Sequence, residues 1–523
     1  MITTLLLFVL SLLITTLYLV FKKKFQYWEK RNVPHVPPVP LLGNFANYIL
    51  QKEFLGHTTQ EICSKFPNEP IVGAYYATEP ALIIQDPEVI KHVVTKDYYF
   101  FSGREISDFT HRERLTVNLF ATYGDRWKVL RQNLTPIFTS SKMKNMFHLI
   151  EKCSHEFEDL LDKEAKKDKE VEMRSLIGRY TMDCIANCAF GVHTHTMEQS
   201  ENNPFMTVGN LFFYHNWYRS FQLNLRTIYP SIFYALGYKF VPTEAEDFFT
   251  NMLTGIFKAR DYSPTNRNDF VDLMLKLKTN KTMVGDSLQN LKTDDRKKVE
   301  LQVDDDLLIA QCGLFFTAGF ETSATTLSFT LYELAKHPEA QKRAIAEVND
   351  YLRRHNNELK YECLSEMPFV EACFDETLRL YPVLSMLTRE VIEDYTFPSG
   401  LKVEKGLRIF LPLYHLHHNP AFFPDPEEYR PERFLPENKH NIIPYTYMPF
   451  GDGPRICIGM RFARMQMTAG IITVLKKYRL ELAPGMKTQV EFTPNSIVTQ
   501  VKGGINLNMI EREGWEQRVL KDL

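Results

Sequence analysis

The stretch from Asp304 to Lys336 leaves this chain little choice of architecture. Its middle, AQCGLFFTAGFETSATTLSF, is apolar on nearly every side of a helical wheel. At helical rise the whole stretch runs about 50 Å. Such a helix has no face to give to water, so it must cross the core of a domain with other elements packed around it. That calls for a large fold, and 523 residues, 44% of them hydrophobic, supply one. Asp304, Asp305 and Asp306 suit the positive end of the helix dipole, and His337-Pro338 ends the run.

Most of the remaining sequence also has helical spacing. Residues 71–85, IVGAYYATEPALIIQ, read as two strands about a Thr78-Glu79-Pro80 turn, and 391–411 as a second pair about Pro398-Ser399-Gly400. The polar run from Thr279 to Glu300 reads as a surface loop, because it has charge and little to bury. The expected class is mainly α (α+β): a helical domain with small sheets at one side.

With 62 basic against 64 acidic residues there is no basic excess, so nucleic acid is not an expected partner. Eight sparse, irregularly spaced cysteines argue against a secreted disulfide framework and for a reducing compartment. Residues 1–21 carry no charged side chain and would span about 30 Å as a helix, the thickness of a bilayer core. Lys22, Lys23 and Lys24 follow at once, which sets the bulk of the chain on the cytosolic side. No cleavable signal pattern is visible. The chain thus divides into a membrane signal anchor at 1–21, a basic, proline-rich hinge at 22–40 and a single domain at 41–523. Pro34, Pro37, Pro38 and Pro40 make that hinge a stiff spacer.

Three patterns carry chemistry. In AGFET, Ala318 to Thr322, the Thr322 hydroxyl is placed to reach the Ala318 carbonyl one turn back, Gly319 weakens the helix, and Glu321 interrupts an apolar run. Glu376 and Arg379 in DETLRLYP share a helix face, with Arg433 of PERF as a third member. The loop PFGDGPRICIGMRF spaces Phe450, Gly453, Arg455, Cys457 and Gly459 ahead of a helical pattern. A thiolate before a helix N-terminus is stabilised by free amides, and the glycines let the backbone fold round the sulfur and approach a flat ligand. Cys457 is therefore read as a metal ligand. Cys184, Cys188, His193 and His195 offer four zinc-type ligands, but the cysteines sit in an apolar helical stretch and read as core. His415, His417 and His418 read as polar loop packing.

Across nearly its whole length the sequence resembles the cytochrome P-450 superfamily, with anchor, proline hinge, W-x-x-x-R, threonine helix, E-x-x-R, P-E-R-F and cysteine loop in that order. The resemblance implies a non-covalent haem b with Cys457 as its axial iron ligand; thiolate-ligated haem of this family is a standard example of axial-ligand control. It implies propionate contacts from Trp127, Arg131, Arg389 and Arg455, and a structural rather than catalytic role for Glu376, Arg379 and Arg433. Phe450, Gly453, Gly459 and Ala318 belong to the expected cofactor site. Thr322 is expected to deliver protons, with Glu321 as the acidic relay beside it.

The implied reaction is microsomal monooxygenation of lipophilic substrates. Electrons would come from NADPH through a reductase in the endoplasmic reticulum membrane, with cytochrome b5 as a second candidate donor. Arg126, Lys128, Lys142 and Lys144 form a basic patch suited to an acidic reductase face. Segments such as AGFETSATTLSFTLYELAKHPE resemble insect microsomal members, which oxidise plant toxins and insecticides; a dedicated hormone, sterol or terpenoid hydroxylase is the alternative. A haem–thiolate isomerase or dehydratase and a non-catalytic lipophile carrier are the other readings, and Thr322 after an acidic residue speaks against both. Substrate-lining stretches are expected at 100–120, 205–221, 314–318, 383–387 and 495–498, and Tyr229–Tyr238 as a membrane-dipping segment.

Overall fold

The chain begins as a helix, α1 (Ile2–Lys24), with Ile2, Phe8 and Leu19 turned outward and Lys22, Lys23 and Lys24 in its last turn. The computed structural model describes residues 2–521 apart from 105–106, 199–202, 214–215, 268 and 294. Four residues beyond α1 the chain is fastened to a sheet. Trp28 is wholly buried, and its Nε1 donates to the Ala74 carbonyl at 2.8 Å on β1 (Ile71–Tyr76). β1 pairs antiparallel with β2 (Glu79–Ile84), turning at Ala77-Thr78, slightly earlier than its Pro80 suggests. Alternate residues of β1 serve two cores: Ile71 and Tyr75 face the Trp28 cluster, while Val72, Ala74 and Tyr76 face Phe45 and Phe410. The proline-rich segment is laid along this sheet, with Val33 buried and His35 bridging Gly73.

Helices α2 (Gly124–Leu134) and α3 (Ser140–Lys167), strand β3 (Glu170–Glu172), and helices α4 (Met173–Phe190), α5 (Trp217–Ile228) and α6 (Pro230–Ala235) follow. The polar run after Thr279 is a hairpin rather than a loop: β4 (Thr282–Asp286) pairs antiparallel with β5 (Lys298–Gln302). Few apolar residues suffice for it, because only one face needs cover; Met283 and Leu288 are buried while the lysines point outward.

Helix α7 (Asp305–Lys336) is the central element. Asp304 caps it, accepting the Leu307 N–H at 2.8 Å, and His337 closes it before Pro338. It is long and apolar enough to cross a bilayer, yet 72% of its most apolar window is buried, which makes it a core helix. α4 packs along it, and a Cβ on Gly319 would lie 2.7 Å from Ile185 Cδ1, so the glycine allows the close crossing. Its buried hydroxyls return to their own backbone, as Ser328 does to Ala324 O at 2.6 Å and Thr330 to Thr326 O at 2.9 Å.

Helix α8 (Pro368–Leu380) leads to β6 (Leu387–Glu390), the hairpin β7 (Tyr395–Thr396) and β8 (Lys402–Val403), and β9 (Arg408–Leu411). The expected strand pair in 391–411 is therefore that small hairpin, and β9 joins a four-stranded sheet of order β1-β2-β9-β6, parallel at β2–β9. Helix α9 (Met460–Leu475) follows the cysteine loop. Strands β10 (Tyr478–Leu482) and β11 (Asn506–Glu511) complete a three-stranded sheet with β3. Helices outweigh strands, as the sequence pattern implies.

At Gly73 an added Cβ would lie 2.5 Å from the Trp28 indole Cγ. Gly73→Ala should cost about 1–3 kcal/mol of stability by overpacking, read as a lower denaturant midpoint with unchanged slope.

Candidate functional site

The cysteine loop is shaped by backbone contacts that only glycine permits. Gly451 and Gly453 have φ of 72° and 67°, and a Cβ on Gly453 would lie 1.8 Å from the Val94 carbonyl oxygen. Asp452 Oδ1 accepts the Gly453 N–H at 2.5 Å, Gly453 O accepts the Ile456 N–H at 3.0 Å, and Phe450 O accepts the Cys457 N–H at 2.8 Å. Cys457 thus sits three residues ahead of α9 with its thiol on a cavity wall. Alone among the eight cysteines Cys457 is exposed; it lines the cavity, whose wall the buried Cys188 also joins. Burial pushes its thiol up from the ordinary range, and the Gly459 N–H and the Arg131 guanidinium pull it back.

The cavity holds about 300 Å³, and α2, α7, β6 and the cysteine loop all contribute to its wall. Trp127 and Arg131 from α2, Arg389 from β6 and Arg455 from the loop all line it. Arg104 does so as well, from a segment without periodicity that the motif reading passed over; its only signal was a guanidinium between aromatic residues. Arg104 donates to Phe120 O at 2.9 Å and lies over the Phe120 ring. Arg455 is buried against the Trp127 indole and donates only to neutral oxygens: Tyr98 Oη at 3.2 Å, and Ser102 O and Thr122 O at 2.9 Å each. Arg131 makes no ion pair among the described residues, and burial lowers its pKa. Two guanidiniums without a carboxylate, beside an indole N–H, leave a site that wants an acidic ligand.

The opposite wall comes from α7. Ala318, Gly319, Thr322, Ser323 and Thr326 line the cavity, and Thr322 Oγ1 donates to Ala318 O at 2.6 Å. The Gly319 carbonyl takes Gln466 Nε2 of α9 at 2.9 Å, so two successive carbonyls bear extra donors. Glu321 is elsewhere. Successive helical residues point about 100° apart, and the Glu321 carboxylate, 1% exposed, is paired with Arg174 of α4 behind the cavity wall. Burial raises its pKa, against the pull of Arg174, Gln500 and Thr325. Adjacency to Thr322 in sequence is not adjacency in the cavity.

Of the expected substrate stretches, 314–318 and 383–387 contribute Leu314, Phe315, Val383, Leu384 and Leu387, and 100–120 contributes Leu119 and Phe120. Residues 105–106 and 214–215, within two of those stretches, lie outside the described residues. Nothing from 205–221 or 495–498 appears among the described lining residues.

Behind the cysteine loop Glu376 accepts Arg379 Nε and Nη2 at 2.8 and 2.9 Å and the Arg430 N–H at 2.8 Å, with Arg433 at 3.4 Å. Cys184 and Cys188 are core residues of α4, and no cluster of three metal-type ligands exists among the described residues. His415 and His417 lie on a short buried helix, Leu413–His417, with His418 as its cap, and not in a polar loop. There His417 Nε2 accepts the Met448 N–H at 3.3 Å, and His418 stacks on Tyr414.

Comparison with known proteins shows the family of the chain. A profile of the Cytochrome P-450 family matches residues 34–508. The chain belongs to the cytochrome P-450 family. It is 36% identical over 506 residues to Cytochrome P-450 6B2 of Helicoverpa armigera, covering 97% of this chain and 98% of the relative. It is 36% identical over 515 residues to 6B1 of Papilio polyxenes, with 97% and 99% covered, and 35% identical over 507 residues to 6k1 of Blattella germanica, with 96% of each covered. This cytochrome P-450 is a monooxygenase of the insect 6-family type, and its family implies a thiolate-ligated haem.

Gly453→Ala forces both a left-handed φ and a clash on the Cys457 loop; the purified protein should lose most of its haem while wild type keeps it, read as the haem-to-protein absorbance ratio. The buried histidines carry a pH signature. Desolvation lowers His415 to about 4 and His417 and His418 to about 3, from 6.5. The unfolded chain takes up their protons as pH falls through 6.5 while the folded chain does not, so stability declines below that pH. The denaturant midpoint should drop between pH about 7.5 and about 5.5, and drop less in His415→Gln.

Proposed function

We propose that Cys457 would supply the thiolate ligand of a non-covalently bound haem b, with Trp127, Arg131, Arg389, Arg455 and Arg104 holding its propionates. Phe450, Gly453 and Gly459 shape the cysteine loop, and Ala318 lines the cavity from α7. The observation that carries this reading is the placing, around one cavity, of an exposed cysteine with the guanidiniums of Arg131 and Arg455, neither of which pairs with a carboxylate among the described residues. When bound, such a haem activates O2 and supplies the oxygen atom that enters the substrate, the second atom leaving as water.

The chain's own residues then divide the remaining work. Thr322 presents its hydroxyl to the cavity and passes protons into it. Glu321 serves that relay from behind the wall, where Arg174 holds it, rather than from beside the threonine. Leu119, Phe120, Leu314, Phe315, Val383 and Leu384 exclude water and select lipophilic, uncharged substrates. Among the described residues every charged side chain on the wall is an arginine, which favours uncharged or anionic over cationic substrates. Oxidative detoxification of plant toxins and insecticides is the preferred role, and a dedicated hormone, sterol or terpenoid hydroxylase is the second reading.

Placement follows from the two apolar surfaces. α1 carries Ile2, Leu5, Phe8, Leu12 and Leu19 uncovered and serves as the anchor in the endoplasmic reticulum membrane, the domain facing the cytosol. Trp217 and Phe221 on α5, Ile232 on α6 and Leu236 just past it are exposed, and Gln51 donates to the Trp217 carbonyl at 3.0 Å, so exposed Leu50 lies close by. This patch, which includes much of Tyr229–Tyr238, lies in the bilayer surface. Electrons arrive from an NADPH–cytochrome reductase in the same membrane, with cytochrome b5 as a second donor. Of the basic patch, Arg126 and Lys144 are exposed, and Lys144 already pairs with Glu362.

Two measurements test this. Thr322→Ala should raise NADPH consumed per product several-fold; unchanged coupling would remove Thr322 from the relay. Lipophilic plant toxins, insecticides, sterols and terpenoids titrated into the ferric protein report binding through the haem spin state. Several unrelated toxins shifting it support detoxification, whereas one tight hormone with silent toxins supports the dedicated hydroxylase.

A further inference from the structure

Helix α9 borders two cavities. Phe462, Ala463 and Met467 line the cavity of Cys457, whereas Arg461, Arg464 and Thr468 line a separate space of about 190 Å³. Successive residues point about 100° apart, which puts these two sets on opposite faces of the helix. The second space has an apolar floor. Leu364 comes from the short helix Cys363–Glu366, Met367 from the residue after it and Phe374 from α8, and the last two are buried. At about 30 Å³ per molecule it has room for about six waters, so a compact organic body fits where a drug-sized one does not.

Three charged side chains stand on this wall, Arg461, Arg464 and Glu371, and two of them answer each other. Arg464 Nη1 donates to Glu371 Oε1 at 3.0 Å and its Nη2 to Asp375 Oδ1 at 2.7 Å, while Lys439 Nζ stands 3.7 Å from Asp375 Oδ2. The carboxylates at the ends of the neighbouring short helix are also paired, Glu362 with Lys144 and Glu366 with Arg354 and the His355 ring. Arg461 is left over. It is exposed and has neither ion pair nor hydrogen bond from its side chain among the described residues. Two hydroxyls share that condition: Tyr361 and Thr468 line the space, Thr468 only 6% exposed, and neither hydroxyl has a hydrogen-bond partner among the described residues. Thr473 on the same helix returns its hydroxyl to Ala469 O at 2.9 Å, which Thr468 does not do one turn back. An apolar floor beside one uncompensated guanidinium and two free hydroxyls matches a monoanion with an apolar body. A dianion would meet Glu371 as well, and a neutral molecule would leave Arg461 to water.

We propose that this second cavity binds a compact monocarboxylic acid. Its carboxylate accepts from Arg461 and from the hydroxyls of Tyr361 and Thr468, and its apolar body lies against Leu364, Met367 and Phe374. The site is separate from the cavity of Cys457, and binding there requires neither substrate nor turnover. Arg464 stands between the two: it lines the second cavity, and its guanidinium lies 5.6 Å from the ring centroid of Phe450, which lines the first.

The test uses the full-length, haem-loaded chain in detergent, titrated calorimetrically with sodium benzoate. Wild type should bind benzoate saturably, one molecule per chain, and its thermal midpoint should rise with benzoate concentration. Benzamide has the ring without the charge and acetate the charge without the ring; each should bind about tenfold more weakly. Orthophosphate should show no saturable binding. Arg461→Gln should weaken benzoate about tenfold, Arg461→Lys should recover part of that loss, and Thr468→Val should cost several-fold. Leu364→Trp fills the floor and should abolish binding. Arg461 is exposed, so its variants should fold, and their dithionite-reduced carbonyl spectra should match wild type. Benzoate that binds Arg461→Gln and Leu364→Trp as tightly as wild type sits elsewhere, the cavity of Cys457 included, and overturns the proposal. Benzamide, acetate or orthophosphate binding as tightly as benzoate overturns it too, as does a wild type that binds no benzoate.

Discussion

The buried carboxylate of Glu376 fastens helix α8 to the segment that leads into the cysteine loop. It and Arg379 are both fully withdrawn from solvent, and neither ion has water to fall back on. Arg379 divides its donors between Glu376 and the carbonyls of His417 and Glu428, at 2.9 and 3.0 Å. Glu376 in turn takes the Arg430 N–H and the Arg433 guanidinium. One turn of α8 is thereby fastened to the short histidine helix and to the segment that runs into the cysteine loop. Removing one member of such a set strands the other in a low-dielectric interior, at about 3–5 kcal/mol, far more than an exposed pair contributes. The pair does no chemistry, yet it fixes the scaffold from which Cys457 is presented.

Above that scaffold the site depends on two glycine-dependent approaches. Gly453 brings the cysteine loop against the Val94 carbonyl, and Gly319 brings α7 against α4. The first places a thiol at the base of the cavity; the second places Thr322 on the facing wall while sending Glu321 to Arg174. The surrounding rim of guanidiniums is expensive to bury, and the acidic groups of the family's cofactor would offset that cost. Function also has an outside. Trp28, just beyond α1, is bonded to the same sheet whose β6 contributes Arg389, so the N-terminal helix and the cavity are linked through one sheet.

Much of this was legible in the sequence where short-range physics decides. The limits of α7 follow from Asp304 as cap and Pro338 as stop, and the cysteine loop from glycine spacing ahead of a helix. Glu376 and Arg379 are read correctly as neighbours because three residues apart is contact on a helix. The same helical geometry explains the misplacement of Glu321, since consecutive residues face different ways. The β4–β5 hairpin was missed because a strand pair held by side-chain bonds to another helix needs few apolar residues of its own. Arg104 was missed because a guanidinium in an aperiodic segment gains its meaning only from tertiary contact. His415 to His418 looked polar in sequence, and burial of the short helix that carries them is a tertiary fact.

The central claim is that Cys457, alone of the eight cysteines, is poised to ligate haem iron. Its most direct test is the carbon monoxide difference spectrum of the dithionite-reduced protein, wild type against Cys457→His. Wild type should show the red-shifted Soret band of a thiolate-ligated carbonyl complex. The variant should keep haem and show instead the band of an imidazole-ligated one. A Cys457→His protein that retained the thiolate band would place the ligand at another residue and contradict the account.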